Sequence, residues 1–387
     1  MKRSLTLRYG LLVSLLCVFL TESQSRGLAV DSTGMFSVTE VGSRAGSGDK
    51  YISDLTNEAP SDLNNKGVIL VNAFLSDAPL AGIPFTESDG MIASLGDLSR
   101  FSSGSQINDR NEIVGYTAAL DDPSLDHVQA VVWRDGIMVE LPKFDVDQSQ
   151  AYGINNGGVI VGNASLKSPD GVLRHAAMWT GDRITDLGTL GGPGSNASSI
   201  NDKGTIVGYS MVTDRNGTFP ALWEAGLPSE LPSPDGRNGG AVGINESGTI
   251  IGVLVDEEVN YYPIRWIDGE PEYLPLISER GEGAANGINA SGQIVGWTKR
   301  VKSDAGIQVA VLWERDEVID LNRRIPAGSD FKLLSAIAIN DGGQIAVDAV
   351  GEDGNRHALL LTPIESAAQR LLNTQFTSSS AVLRRTR

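Results

Sequence analysis

Ala151-Tyr-Gly-Ile-Asn155-Asn-Gly-Gly-Val-Ile-Val-Gly162 reads as a short strand, a tight turn and a second strand. His175-Ala-Ala-Met-Trp179 follows as a third strand, Gly181-Asp182 as a turn, and Arg183-Ile-Thr-Asp-Leu187 as a fourth. Short apolar runs separated by Gly, Asn and Asp make an antiparallel meander. The same pattern recurs along the chain, with its asparagine at Asn64, Asn108, Asn155, Asn201, Asn245, Asn289 and Asn340, at intervals of 44 to 51 residues. A period in this range marks a propeller or another repeat array.

The turn chemistry agrees between copies. Three residues after the asparagine stands Gly67, Asn111, Gly158, Gly204, Gly248, Gly292 or Gly343. A turn closed by a left-handed residue requires Gly, and Asn is the next-best occupant. The repeat asparagine itself is expected to bond backbone within its own turn. Seven residues after it, five copies carry Gly (Gly115, Gly162, Gly208, Gly252, Gly296), and the outer copies carry Val71 and Val347. Glycine inside a strand marks close approach by another backbone. Trp133, Trp179, Trp223, Trp266 and Trp313 end the third strand and read as packing between blades.

The last copy runs through His357-Ala-Leu-Leu-Leu361 and stops at Thr362-Pro363 without a fourth strand. The segment Phe36-Ser-Val-Thr-Glu-Val41, ahead of the first copy, resembles a fourth strand. It would complete the last blade from outside and remove a sticky edge. The predicted fold is all-β: a seven-bladed β-propeller of four-stranded antiparallel blades, closed by this N-terminal strand. An open solenoid would leave the segment unexplained.

At the N-terminus, Lys2, Arg3 and Arg8 precede a mostly apolar run from Tyr9 to Leu20, and Ser23-Gln-Ser25 offers a cleavage site. This predicts a signal peptide over 1–25, since a membrane-spanning helix needs about 20 apolar residues. The propeller then occupies 26–365, and 366–387 form a tail with a short helix or no fixed structure. The one cysteine, Cys17, leaves with the signal, so the mature chain is expected to lack disulfides, thiol catalysis and Cys-based zinc sites. With 31 basic and 48 acidic residues the net charge is −17, which argues against nucleic acid and anionic membrane surfaces. A secreted, periplasmic or cell-surface monomer without a membrane span follows.

Asp186-Leu-Gly-Thr-Leu-Gly-Gly192, Ser195-Asn-Ala197, Ile200-Asn201, Gly204-Thr-Ile-Val-Gly208 and His175-Ala-Ala-Met-Trp179 together resemble the bacterial HAF repeat. The best match covers 151–208 and weaker copies cover 60–363. The full Leu-Gly-Thr-Leu-Gly-Gly phrase occurs once; other copies have Leu141-Pro142, Leu231-Pro232 and Leu274-Pro275. The resemblance implies an extracellular repeat protein and carries no catalytic residues.

Chemistry is sparse. The three histidines, His127, His175 and His357, fall at corresponding repeat positions, which a ring would spread apart. No catalytic or metal constellation is found, and no cofactor is expected. The spacing between strands two and three varies most, and loops on a rigid scaffold carry function. That variable-loop face holds the candidate ligand-binding residues Asp121, Asp122, Asp126, Asp256, Glu257 and Glu258. They suit calcium or a cationic partner, against a plain reading as solvated turn residues, and interleaved Lys167, Arg215 and Lys299 dilute their field. The leading expectation is a non-enzymatic scaffold that binds a protein or a cell-envelope polymer through this face. The rivals are a hydrolase or lyase in the central channel and a structural surface component without a discrete ligand.

Overall fold

The innermost strand of every repeat ends in its asparagine, and that side chain does two jobs. In the computed structural model, which describes residues 35–42, 55–75, 82–95, 100–119, 127–169, 171–279, 281–299 and 308–364, all seven are buried. Each Oδ1 accepts the N–H four residues on, at 2.9–3.0 Å, and so fixes its own turn. Each Nδ2 donates to the carbonyl of the next repeat's asparagine at 3.0–3.2 Å. The chain of bonds runs from Asn64 through Asn340 and returns to Asn64. The expected turn bond is therefore present, and a circular bond between repeats is added to it.

The third residue after each asparagine adopts positive φ, from 63° at Asn111 to 93° at Gly248. The strand glycine answers a different demand. A Cβ on Gly115, Gly162, Gly208 or Gly296 would lie 1.9–2.0 Å from a carbonyl of the neighbouring inner strand. That carbonyl is thrown forward because each inner strand bulges by one residue, between Gly104 and Gln106 in the second repeat and between Ala197 and Ser199 in the fourth. A bulge places two residues opposite one and re-aims the extra side chain.

The molecule is an all-β propeller of four-stranded antiparallel blades. The expected seven separate blades are corrected to five free-standing four-stranded sheets and one eight-stranded sheet. The third and fourth repeats share the latter, through a parallel bridge between Arg174 and Gly194. The cause is the one complete Leu-Gly-Thr-Leu-Gly-Gly phrase. Leu190 donates its N–H to Ser210 Oγ, Ser195 Oγ donates to the Gly188 carbonyl, and Ala176 N–H donates to Ser195 Oγ. These bonds extend the strand Gly191–Ile200 until it meets its predecessor.

The strand Phe36–Val41 pairs antiparallel with Arg356–Pro363, Phe36 opposite Pro363 and Val41 opposite Ala358. It is the outer strand of the last sheet. Apolar clusters lie between successive repeats; in one, Val114 and Leu141 meet Ile154 and Trp179. The five tryptophans each donate Nε1 to a carbonyl of the preceding repeat, at 2.6–3.0 Å. The acceptors are Leu95, Pro142, Leu187, Pro232 and Pro275. Because the bond goes to backbone, Leu-Pro serves where other copies have Leu-Gly.

The described residues fall in one unit, Met35–Ile364. The expected signal peptide, 1–25, and tail, 366–387, lie outside them, and among them no helix is long and apolar enough to cross a membrane.

Candidate functional site

Up-and-down strands put the asparagine turns on one face and the variable loops, with the links between repeats, on the other. On the variable-loop face, a groove of about 520 Å³ runs between the fourth and fifth repeats. Its walls come from the loop around Arg215, the link Asp235–Asn238, and the loop that carries Asp256 and Glu257.

The sequence places two guanidinium groups here and the fold fixes both. Arg215 lies 4.0 Å over the Phe219 ring and is bonded twice to Glu230. Arg237 lies 4.2 Å over Tyr262 and 5.6 Å from Tyr273, with Asp235 Oδ2 3.8 Å away. Stacking on a ring holds a planar cation without satisfying its N–H donors. Arg237 thus presents fixed donors beside the carboxylates of Asp235, Asp256 and Glu257, while the Arg215 fork is taken by Glu230.

Asp256 is spent largely on its own hairpin. It accepts from the N–H groups of Glu258 and Asn260, from Asn260 Nδ2 and from Tyr262 Oη, at 2.8–3.0 Å. The Asn260 side-chain amide, followed by the Asn260 N–H, holds its carboxyl down at about 2. Glu257 lines the groove, and Glu258 follows it in the same turn. Asp121, Asp122 and Asp126 lie outside the described residues. Among those described, no group of three or more His, Cys, Asp or Glu gathers to hold a metal. His175 faces Asp186 at 3.0 Å, and His357 sits between Glu40 and Asp353 at 2.8 and 3.1 Å, on separate repeats.

The channel holds what the sequence reading passed over. At the asparagine face its mouth carries Asn65, Asp109, Asn156, Asp202, Glu246 and Asp341, and behind them Leu63 and the six equivalent isoleucines. The mouth groups brace one another: Asp109 Oδ1 accepts the Asn65 N–H at 2.8 Å, and Asp202 Oδ1 accepts the Asn156 N–H at 2.7 Å. Deeper in, the bulged residues line a chamber of about 200 Å³. Ser61, Ser105, Tyr152 and Ser198 make one arc of it polar, while Val242 and Ile337 flank Asn286 on the other.

Asp62 lines both mouth and chamber. Its Oδ2 accepts the Ile107 N–H at 2.9 Å, as Gln106 Oε1 accepts that of Ile154 at 2.7 Å. Removal from bulk water raises its carboxyl to about 7, against the opposing pull of the Ile107 and Leu63 N–H groups. A signal for it was present in the sequence. Two residues before the ring asparagine the copies read Asp62, Gln106, Gly153, Ser199, Gly243, Gly287 and Ala338, and the first is the one acid. Arg237 and Tyr262 were harder to find, since a link and a strand supply them separately.

No family model and no curated protein matches the sequence. Among solved structures, a puromycin-hydrolyzing peptidase from Mycobacterium tuberculosis is similar at TM-score 0.51 and 10% identity, over 78% of this chain and 53% of that one. The chain thus spans about half the peptidase's length. TolB from Acinetobacter baumannii is similar at TM-score 0.41 and 10% identity, over 80% and 64% of the two chains. The Aleuria aurantia lectin, in complex with Fucα1-6GlcNAc, is similar at TM-score 0.39 and 12% identity, over 72% and 99%. At these identities the likeness concerns the fold alone.

Proposed function

We propose that this is a secreted, non-enzymatic scaffold of HAF-type repeats that binds a cell-envelope polymer or a protein through its variable-loop face. The groove between the fourth and fifth repeats is the contact. The observation that carries the reading is the ring-stacked guanidinium of Arg237, fixed beside carboxylates in one open groove whose opposite wall is the Arg215–Glu230 pair. Fixed planar donors and acceptors favour bidentate bonds to the hydroxyl or carboxylate groups of a polymer, and fixing them in advance lowers the ordering cost of binding. A channel hydrolase or lyase has Asp62 in its favour, with Asp109 near enough to push its carboxyl up further, but Asp109 is committed to the Asn65 N–H and side-chain amide.

The test is binding of the purified protein to an array of glycans and cell-envelope polymers, with and without calcium, beside Arg237→Ala and Glu257→Gln. Retained folding with about tenfold or greater loss of a hit in Arg237→Ala supports the groove. A hit indifferent to both variants places the contact elsewhere.

A further inference from the structure

The charged residues that line the channel's two cavities are all acidic, with Lys203 reaching the Glu246 carbonyl from beside the mouth at 2.6 Å. Asp109, Asp202, Glu246 and Asp341 stand at the mouth and Asp62 inside; no Lys, Arg or His lines either cavity. A cleft lined by one sign concentrates counter-ions. Asp62 has no cationic side chain paired with it among the described residues, and its residual exposure is to the lumen. Between mouth and chamber, Leu63, Ile107 and their equivalents turn into the cores between repeats, and Val242 and Ile337 are the aliphatic side chains among the chamber's bulged residues.

We propose that this chamber binds a small organic cation, a primary ammonium on a short hydrocarbon arm, with Asp62 as its counter-ion. The ammonium's three donors match a carboxylate flanked by the hydroxyl-bearing Ser61 and Ser105. The short hydrocarbon meets the two aliphatic side chains opposite, Val242 and Ile337. A divalent metal fits poorly, because it needs six or so oxygen ligands and one carboxylate does not supply them. The chamber, about 200 Å³, has the volume of about seven waters at about 30 Å³ each, which suits a small molecule, and it is lined by residues other than those of the groove. The elevated carboxyl of Asp62 belongs with this assignment: a half-buried acid with no cation beside it keeps its proton up to about pH 7, and below that pH an incoming ammonium displaces it.

The probe is n-butylammonium, with n-butanol and butyrate as neutral and anionic controls, followed by calorimetry and by the carboxyl carbon resonance of Asp62 in the full chain. At pH 8 butylammonium is expected to bind, butanol about tenfold more weakly, and butyrate not at all. Saturating butylammonium should move the Asp62 titration to lower pH. Below the Asp62 pKa, affinity should fall about tenfold per pH unit, an arm that needs no variant. Asp62→Asn keeps an acceptor for the Ile107 N–H and should lose about tenfold or more of the affinity. Equal binding of butanol, an unmoved Asp62 titration, or full binding by folded Asp62→Asn each overturns the assignment.

Discussion

Asn340 donates its side-chain amide to the carbonyl of Asn64, 3.1 Å away and 276 positions earlier in the chain. That bond closes the circle of seven, so the ends of the repeat array meet at the channel as well as at the outer strand. Each asparagine also holds its own turn, which couples local and long-range order in one side chain. Loss of one ring asparagine therefore leaves the N–H four residues on without its acceptor and takes one of two donors from the next carbonyl, the other being the N–H three residues beyond that carbonyl's own residue.

Asn155 gives the clearest test. Its Oδ1 accepts the Val159 N–H at 2.9 Å and its Nδ2 donates to the Asn201 carbonyl at 3.1 Å. Asn155→Ala should lower unfolding stability by about 2–3 kcal/mol, measured by denaturant titration. Asn155→Asp keeps the acceptor but turns a carboxylate oxygen towards that carbonyl. It should cost at least as much at pH 7 and recover at acid pH, where the protonated group donates again. Equal stability of Asn155→Asp and the native chain at pH 7 would show that the bond between repeats contributes nothing.

The glycines separate two physical demands that look alike in sequence. Gly204 sits at φ 84° with open space where a Cβ would go, so Gly204→Ala pays only for backbone conformation, about 1 kcal/mol. Gly208 faces the Asn196 carbonyl, 2.0 Å from a Cβ. Gly208→Ala must push two strands apart, and should cost about 3 kcal/mol or more, or prevent folding. Thermal unfolding of the two variants side by side orders them.

Much of this was legible from residues alone. The repeat asparagines, the turn residues and the spare strand Phe36–Val41 each follow from local chemistry that a single copy displays. The sharing of one sheet by the third and fourth repeats was not legible as such, although the phrase that causes it was visible. Extending Gly191–Ile200 depends on hydroxyl bonds from Ser195 and Ser210, which no periodicity encodes. The groove was half visible. Asp256 and Glu257 were found as loop acids, but acids on a loop do not reveal that one of them is held by Asn260 and Tyr262. Nor does sequence show that Arg237, from a link between repeats, stacks on Tyr262.

The outer seam makes the last prediction. His357 lies on the strand that receives Phe36–Val41 and touches Glu40 on that strand and Asp353 in the adjoining turn. Phe331 packs edge-on against it at 5.2 Å. Burial opposes its charge, but the hydrogen bonds it donates to Asp353 and Glu40 outweigh that, and the imidazole is held above its ordinary value. The group therefore binds its proton more tightly folded than unfolded. Its stabilising contribution is complete below about pH 6.5, the unfolded value, and is lost as pH rises through the raised folded value. Seam opening, followed by hydrogen exchange of the Phe36–Val41 amides, should accelerate as pH rises across that window beyond the intrinsic base dependence of exchange. His357→Gln should remove the excess while leaving exchange in the inner strand Ser149–Ile154 unaltered. An excess that survives in His357→Gln would assign the pH response to another group.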